Sequence, residues 1–159
     1  MRARFNPHDG QLYVSGLKGW QTSGAKDGCL QRVRFTGAKV SMPRSLNIHE
    51  NGIRIGFTQQ LDKELAEDLD SWQIEQWNYQ WTSKYGSKEY KVSEPSATGH
   101  DKVEVRSARL LPGGQEVFLE IPNLAPVMQM KIDFDLETVD GDEVIGALHN
   151  TIHALGPAL

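Results

Sequence analysis

The chain has 159 residues, 38% of them apolar and 24% charged, with a formal charge of −4. That length supports one hydrophobic core, whereas two would both be thin. Lysines and arginines are scattered rather than clustered, and no apolar run reaches about 18 residues, so neither a nucleic-acid partner nor a membrane span is expected.

The opening "MRARFNPHDG" lacks the apolar centre of a secretory signal and runs straight into strand-like sequence, so the start reads as cut rather than natural. The glycine-rich stretch that follows predicts two strands, near 11–15 and 29–35, joined by a loop. A two-stranded hairpin is marginal in water by itself. Residues 1–37 therefore read as a piece of a sheet whose other strands lie outside the chain. Cys29 shares its strand parity with Val33 and Phe35 and is expected to be a packed, inert thiol. As the sole cysteine it can form no internal disulfide, and no CxxC or CxxCH motif is present. No histidine lies near it in sequence to act as a base.

From about residue 38 onward, short strands alternate with turn signals. "ENG" at 50–52 separates "LNIH" from "IRIGF", with Ile53, Ile55 and Phe57 on one parity. "LDKELAEDLD" is the one helical stretch, because Leu61, Leu65 and Leu69 fall four apart and Asp62 and Glu64 favour a helix start. It predicts a turn or two. Further on, "LPGGQ" separates "VEVRSARL" from "EVFLEI", which sets Val117, Leu119 and Ile121 on one face and Phe118 and Glu120 on the other. In "VMQMKIDFDLE", Met128, Met130, Ile132, Phe134 and Leu136 share one parity and polar residues the other, as a half-buried strand requires. Asp140 and Gly141 then form a hairpin turn, and a closing strand occupies about 143–153. Together these elements predict an all-β chain: an Ig-like antiparallel β-sandwich over residues 38–159 with a short helical insertion, preceded by an N-terminal β-hairpin over 1–37.

The densest chemistry is aromatic. Residues 76–90, "QWNYQWTSKYGSKEY", hold Trp77, Tyr79, Trp81, Tyr85 and Tyr90. On a strand the first three would share a face at about 7 Å intervals, a row that could stack on sugar rings. The opposing reading is that they fill the space between two sheets. Trp72 and Ile74 sit on the other parity, so one of the two sets is expected to be exposed unless the strand bulges. Tyr85 and Tyr90 flank "GSKE", with Lys84, Lys88 and Lys91 nearby, and are the first place to look for a ligand.

Metal and catalytic readings are weaker. His149 and His153 would converge on a helix, but in a strand residues four apart are roughly 13 Å from each other, and the glutamate of an HExxH motif is missing. "DFDLETVDGDE" has Thr138 where a calcium loop needs glycine. No metal ligand set and no catalytic residues are assigned.

Several stretches carry a family resemblance. "GQLYVSGLKGWQ" with "GCLQRVRFTG" resembles the last blade of the β-propeller of bacterial quinoprotein sugar dehydrogenases of the glucose/sorbosone type. "MPRSLNIHENGIRIGFTQQLD", "WQIEQWNYQWTSKYGSKEY", "GHDKVEVRSARLL", "LAPVMQM" and "NTIHALG" resemble the C-terminal region of very large secreted bacterial proteins in which such a propeller is joined to a c-type haem domain. Residues 50–142 also resemble bacterial Ig-like domains that follow enzymes in secreted proteins. The resemblance implies a non-catalytic accessory module, a periplasmic or secreted parent, and adjacent propeller and cytochrome domains as partners. It places haem c and pyrroloquinoline quinone in the parent, with no cofactor in this chain, which lacks a CxxCH and holds at most one blade. A carbohydrate-binding module built on the 76–90 aromatics is the alternative, and an electron-transfer interface is a third reading.

Overall fold

The computed structural model describes residues 2–16 and 28–159. The fold is all-β, and the described residues form three antiparallel sheets, one short α-helix and one 3-10 turn. The chain divides into two compact units at Lys39/Val40.

In the first unit, strands β1 (Arg2–Phe5), β2 (Leu12–Gly16) and β3 (Cys29–Val33) form a meander in that order. The expected pair thus has a third strand, since "RARF" pairs with β2 from Arg2↔Ser15 to Phe5↔Leu12. The connecting turn is fastened by Asn6 and Asp9, whose side chains accept the backbone N–H of His8 and Gln11. The Gln11 N–H, and after it the Tyr13 hydroxyl, hold the Asp9 carboxyl below its usual value. Every residue of β3 is exposed, so Cys29 is solvent-facing rather than packed, and Phe35 lies beyond the strand's end. Most of the predicted loop between β2 and β3 lies outside the described residues.

The second unit begins with β4 (Pro43–His49) and β5 (Gly52–Phe57), followed by helix α1 (Lys63–Glu67) and the 3-10 turn Leu69–Ser71. Then come β6 (Trp72–Tyr79), β7 (Glu89–Tyr90), β8 (Asp101–Lys102), β9 (Ser107–Leu110), β10 (Glu116–Glu120), β11 (Val127–Glu137) and β12 (Glu143–Ile152). One sheet has the order β4-β5-β10-β9 and the other β12-β11-β6-β7, with β8 also paired to β6. In chain order this is the ABED and GFC arrangement of immunoglobulin-type sandwiches, with β7 and β8 as extra short strands beside the C position.

The core is what the alternation predicts. Ile53, Ile55, Phe57, Val117 and Leu119 from one sheet meet Trp72, Ile74, Met130, Ile132, Phe134 and Leu136 from the other in one buried cluster. Burial of this kind supplies most of the driving force, at about 25 cal/mol per Å² of apolar surface. Phe134 packs edge-on against Phe57, with ring centroids 5.8 Å apart, and lies over Gly146, where a methyl group would come within 2.9 Å of its ring.

Met128 departs from the parity expected of it. The register of β11 against β12 shifts between Val127 and Met130, so Val127 turns inward while Met128 is 50% exposed. One inserted residue flips a side chain to the other face. The helical insertion stops at Glu67, and with it the leucine stripe: Leu61 is buried, Leu65 half-buried and Leu69 exposed. Asp62 caps the helix by accepting the Leu65 N–H at 3.0 Å. Leu61 N–H bonds Gly114 O and Asp62 N–H bonds Glu137 O, so the insertion closes one end of the sandwich by bonding to both sheets.

The Asp140–Gly141 turn forms as expected, with Gly141 at φ 83 and its N–H on the Thr138 carbonyl. After β12 the chain returns alongside β4, where Gly156 makes a parallel bridge to His49 and Asn51 binds both the amide and the carbonyl of Leu159. This tail covers an edge that would otherwise present unpaired backbone groups.

Candidate functional site

Strand β6 carries both aromatic sets, and no bulge is needed to accommodate them. Trp72 and Ile74 point inward to the core cluster, while Glu75, Trp77 and Tyr79 share the outer face. Trp77 is nevertheless only 5% exposed, although it takes no part in the core. Its cover is the imidazole of His100, stacked flat on the indole with centroids 3.9 Å apart and planes 10° from parallel. The indole N–H donates to Tyr79 Oη at 3.0 Å, so its polar atom is satisfied.

His100 is held at both nitrogens. Nδ1 lies 3.0 Å from Glu75 Oε2 on β6, and Nε2 lies 2.7 Å from Glu89 Oε2 on β7. Ionised carboxylates only accept, so satisfying both bonds requires both ring nitrogens to donate, which is the imidazolium form. The hydrogen bond His100 makes to Glu75 raises its pKa; burial opposes this, and the bond to Glu89 adds to it. One ring therefore joins β6, β7 and the start of β8, and in its protonated form it sets a cation flat on an indole face, which attracts cations.

Neighbouring groups reinforce this outer face. Lys131 sits opposite Glu75 in the β6–β11 register and pairs with Asp133 at 2.8 Å; that bond, and less strongly the charge of Glu75, raise its pKa. Asp101 receives the Ser93 N–H and hydroxyl at 2.8 and 2.7 Å, which pins the turn leading to His100. Burial pushes the Asp101 carboxyl up, but the bonds from Ser93 and the Val92 backbone, with the charge of Lys91, together leave its pKa lowered.

Beyond Tyr79 the strand ends, so Trp81 does not continue the face. The expected row of three has two members, Trp77 and Tyr79. Gln80–Lys88 instead forms a loop shaped by its own side chains. Ser87 Oγ accepts the Gln80 N–H at 2.9 Å and donates to the Lys88 carbonyl at 2.7 Å, while the Gln80 amide reaches Pro95 O at 2.8 Å. Gly86, at φ 80, makes the turn. Trp81 and Tyr85 are fully exposed, Tyr79 partly exposed and Tyr90 half-buried. Tyr85 and Tyr90 line a shallow concavity of about 580 Å³ together with Lys84 and Lys88; Trp81 is not part of its wall.

The structure brings together Trp77 with Tyr79, and Tyr85 with Tyr90. Sequence reasoning missed His100, Glu75 and Glu89. Glu75 could have been placed beside Trp77 by alternation, but nothing in the spacing shows that a histidine 23 positions later in the chain covers that indole. His149 lies exposed opposite Lys131, and His153 is exposed past the end of β12. Among the described residues no three histidine, cysteine or carboxylate side chains converge as metal ligands would. The stretch that resembled a calcium loop is the end of β11 and its hairpin turn.

No family model, no curated protein and no solved structure matches the chain.

Proposed function

We propose that the chain is a non-catalytic accessory module whose sandwich serves as a rigid mount and whose contacts are made at its surface. The observation that supports this most is the continuous packing between the sheets, where side chains of both layers fill the interior and the polar clusters lie outside it. In this reading the module belongs to a larger extracytoplasmic redox protein and spaces or packs against its propeller and cytochrome domains. Haem c and a quinone cofactor belong to those domains. The exposed Phe5, Leu30 and Phe35 of the first unit fit a sheet that continues into a neighbouring blade. The test is to supply the purified chain with haem, pyrroloquinoline quinone and glucose. No dye reduction and no haem absorbance shift are expected; turnover or stoichiometric haem uptake overturns the reading.

A second reading has its own observation. A fully exposed tryptophan and tyrosine in one internally bonded loop, Trp81 and Tyr85, suit a carbohydrate-binding platform, since aromatic faces stack on sugar rings. Tryptophan fluorescence titrated with polysaccharides tests it. Binding that is lost in Trp81→Ala and Tyr85→Ala supports it, and unchanged fluorescence with every polysaccharide removes it.

A further inference from the structure

We propose that the Gln80–Tyr90 loop selects acidic polysaccharides, those whose sugar rings carry carboxylates; this rests on the carbohydrate-platform reading. The whole chain is acidic, with a formal charge of −4, yet Gln80–Lys88 contains two lysines and no acid. Both lysines, Lys84 and Lys88, line the concavity beside Tyr85 and Tyr90, and neither has an ion-pair partner among the described residues. The next residue in sequence, Glu89, is an acid but forms an ion pair with neither lysine. It is instead engaged by His100 at 2.7 Å. The bond to His100 occupies that carboxylate and leaves Lys84 and Lys88 without an ion-pair partner among the described residues.

The shape and chemistry of the loop agree with that ligand. At about 580 Å³ the concavity is in the usual range for small-ligand sites, about 300–1,000 Å³. Aromatic faces offer stacking for the apolar side of a pyranose, and an ammonium offers a point charge to a ring carboxylate. The bonds of Ser87 and Gln80 shape the loop in advance, which lowers the ordering cost of binding. A lipid surface fits less well. Between Gln80 and Lys91 there is no aliphatic residue to enter acyl chains, and the spacers are Thr, Ser and Gly. Single-stranded nucleic acid would want a cationic groove tracking several phosphates, and two lysines are too few.

The experiment uses the full chain, tryptophan fluorescence and affinity electrophoresis, with four probes: polygalacturonate, a neutral β-glucan, phosphatidylglycerol vesicles and an oligothymidylate. Polygalacturonate should bind at least about tenfold more tightly than the glucan, and the preference should shrink about tenfold in the double variant Lys84→Gln, Lys88→Gln and at high salt. Both lysines are exposed, so that variant should unfold as the wild type does, which circular dichroism checks. Equal binding of glucan and polygalacturonate, unaffected by the lysine changes, overturns the acidic preference while leaving the platform standing. Failure of every polysaccharide overturns both. Binding of vesicles or oligothymidylate in place of polygalacturonate also overturns the proposal.

Discussion

Two aromatic side chains on the outer faces of opposite sheets are as dry as the core, and each is covered by a histidine. Trp77 lies under His100 on the β6 face, and Phe118, 3% exposed, lies beside His49 on the β10 face. The two covers are built differently. His49 meets Phe118 edge-on at 6.1 Å, its Nδ1 sits 2.8 Å from the Pro157 carbonyl, Arg109 lies over the ring at 5.7 Å, and Gly52 leaves room beneath. That cover is neighbouring strands plus a backbone anchor. His100 lies flat on its indole and is gripped by two carboxylates. The first is held by neighbouring strands, a backbone carbonyl and a guanidinium, the second by two carboxylates. The carboxylate-gripped one carries the loop that presents Trp81 and Tyr85, so the stability of that loop is tied to the protonation of His100.

The largest test of this contrast is truncation of the rings themselves. Trp77→Ala and Phe118→Ala should each cost about 3–5 kcal/mol in urea unfolding, as removal of a buried aromatic does. A loss below about 1 kcal/mol at either position would mean that the residue is not packed as described. Next comes His100→Gln, which removes two charge-assisted bonds at a partly exposed site and should cost about 1–2 kcal/mol at pH 5.5 after allowance for solvent screening. The sign with pH is fixed by the raised pKa. The folded form holds the proton more tightly, so the stabilisation is complete below the ordinary histidine value of 6.5 and is lost as pH rises through the elevated folded value. The stability gap between wild type and His100→Gln should therefore narrow at alkaline pH to what the stacking on Trp77 contributes; a constant gap up to pH 9 would show that the ring acts by packing alone. The smallest effect belongs to Trp81→Ala. That fully exposed residue should change stability by less than about 0.5 kcal/mol, and a loss above 1 kcal/mol would place it in packing rather than on a platform.

The layers of the sandwich were legible because alternation carries them. Ile53 to Phe57 and Met130 to Leu136 each repeat every second residue, and the Asp140–Gly141 turn names its own geometry. Alternation fails where something covers the outer face. Parity sets Phe118 on the face opposite Val117 and Leu119 and sets Trp77 on the face opposite Trp72 and Ile74, but their covers come from residues 69 positions earlier and 23 positions later in the chain, distances no local pattern can encode. It fails also where one residue is inserted, as at Met128, and where a strand ends before its pattern does, as at Trp81. Of the candidate site, the exposure of Tyr85 beside its lysines could be read from "SKYGSK", a turn-like polar run. The staple beneath it could not, because Glu75, Glu89 and His100 are gathered only by the pairing of β6 with β7 and β8.

The measurement that bears most directly on this account is the imidazole nitrogen spectrum of His100 followed by NMR across a pH titration, in wild type and in Glu75→Gln. The expected result is a doubly protonated ring at neutral pH that titrates above the ordinary histidine value and shifts downward in the variant. A ring that is neutral at pH 7 with a single protonated nitrogen, or one indifferent to Glu75→Gln, would contradict it.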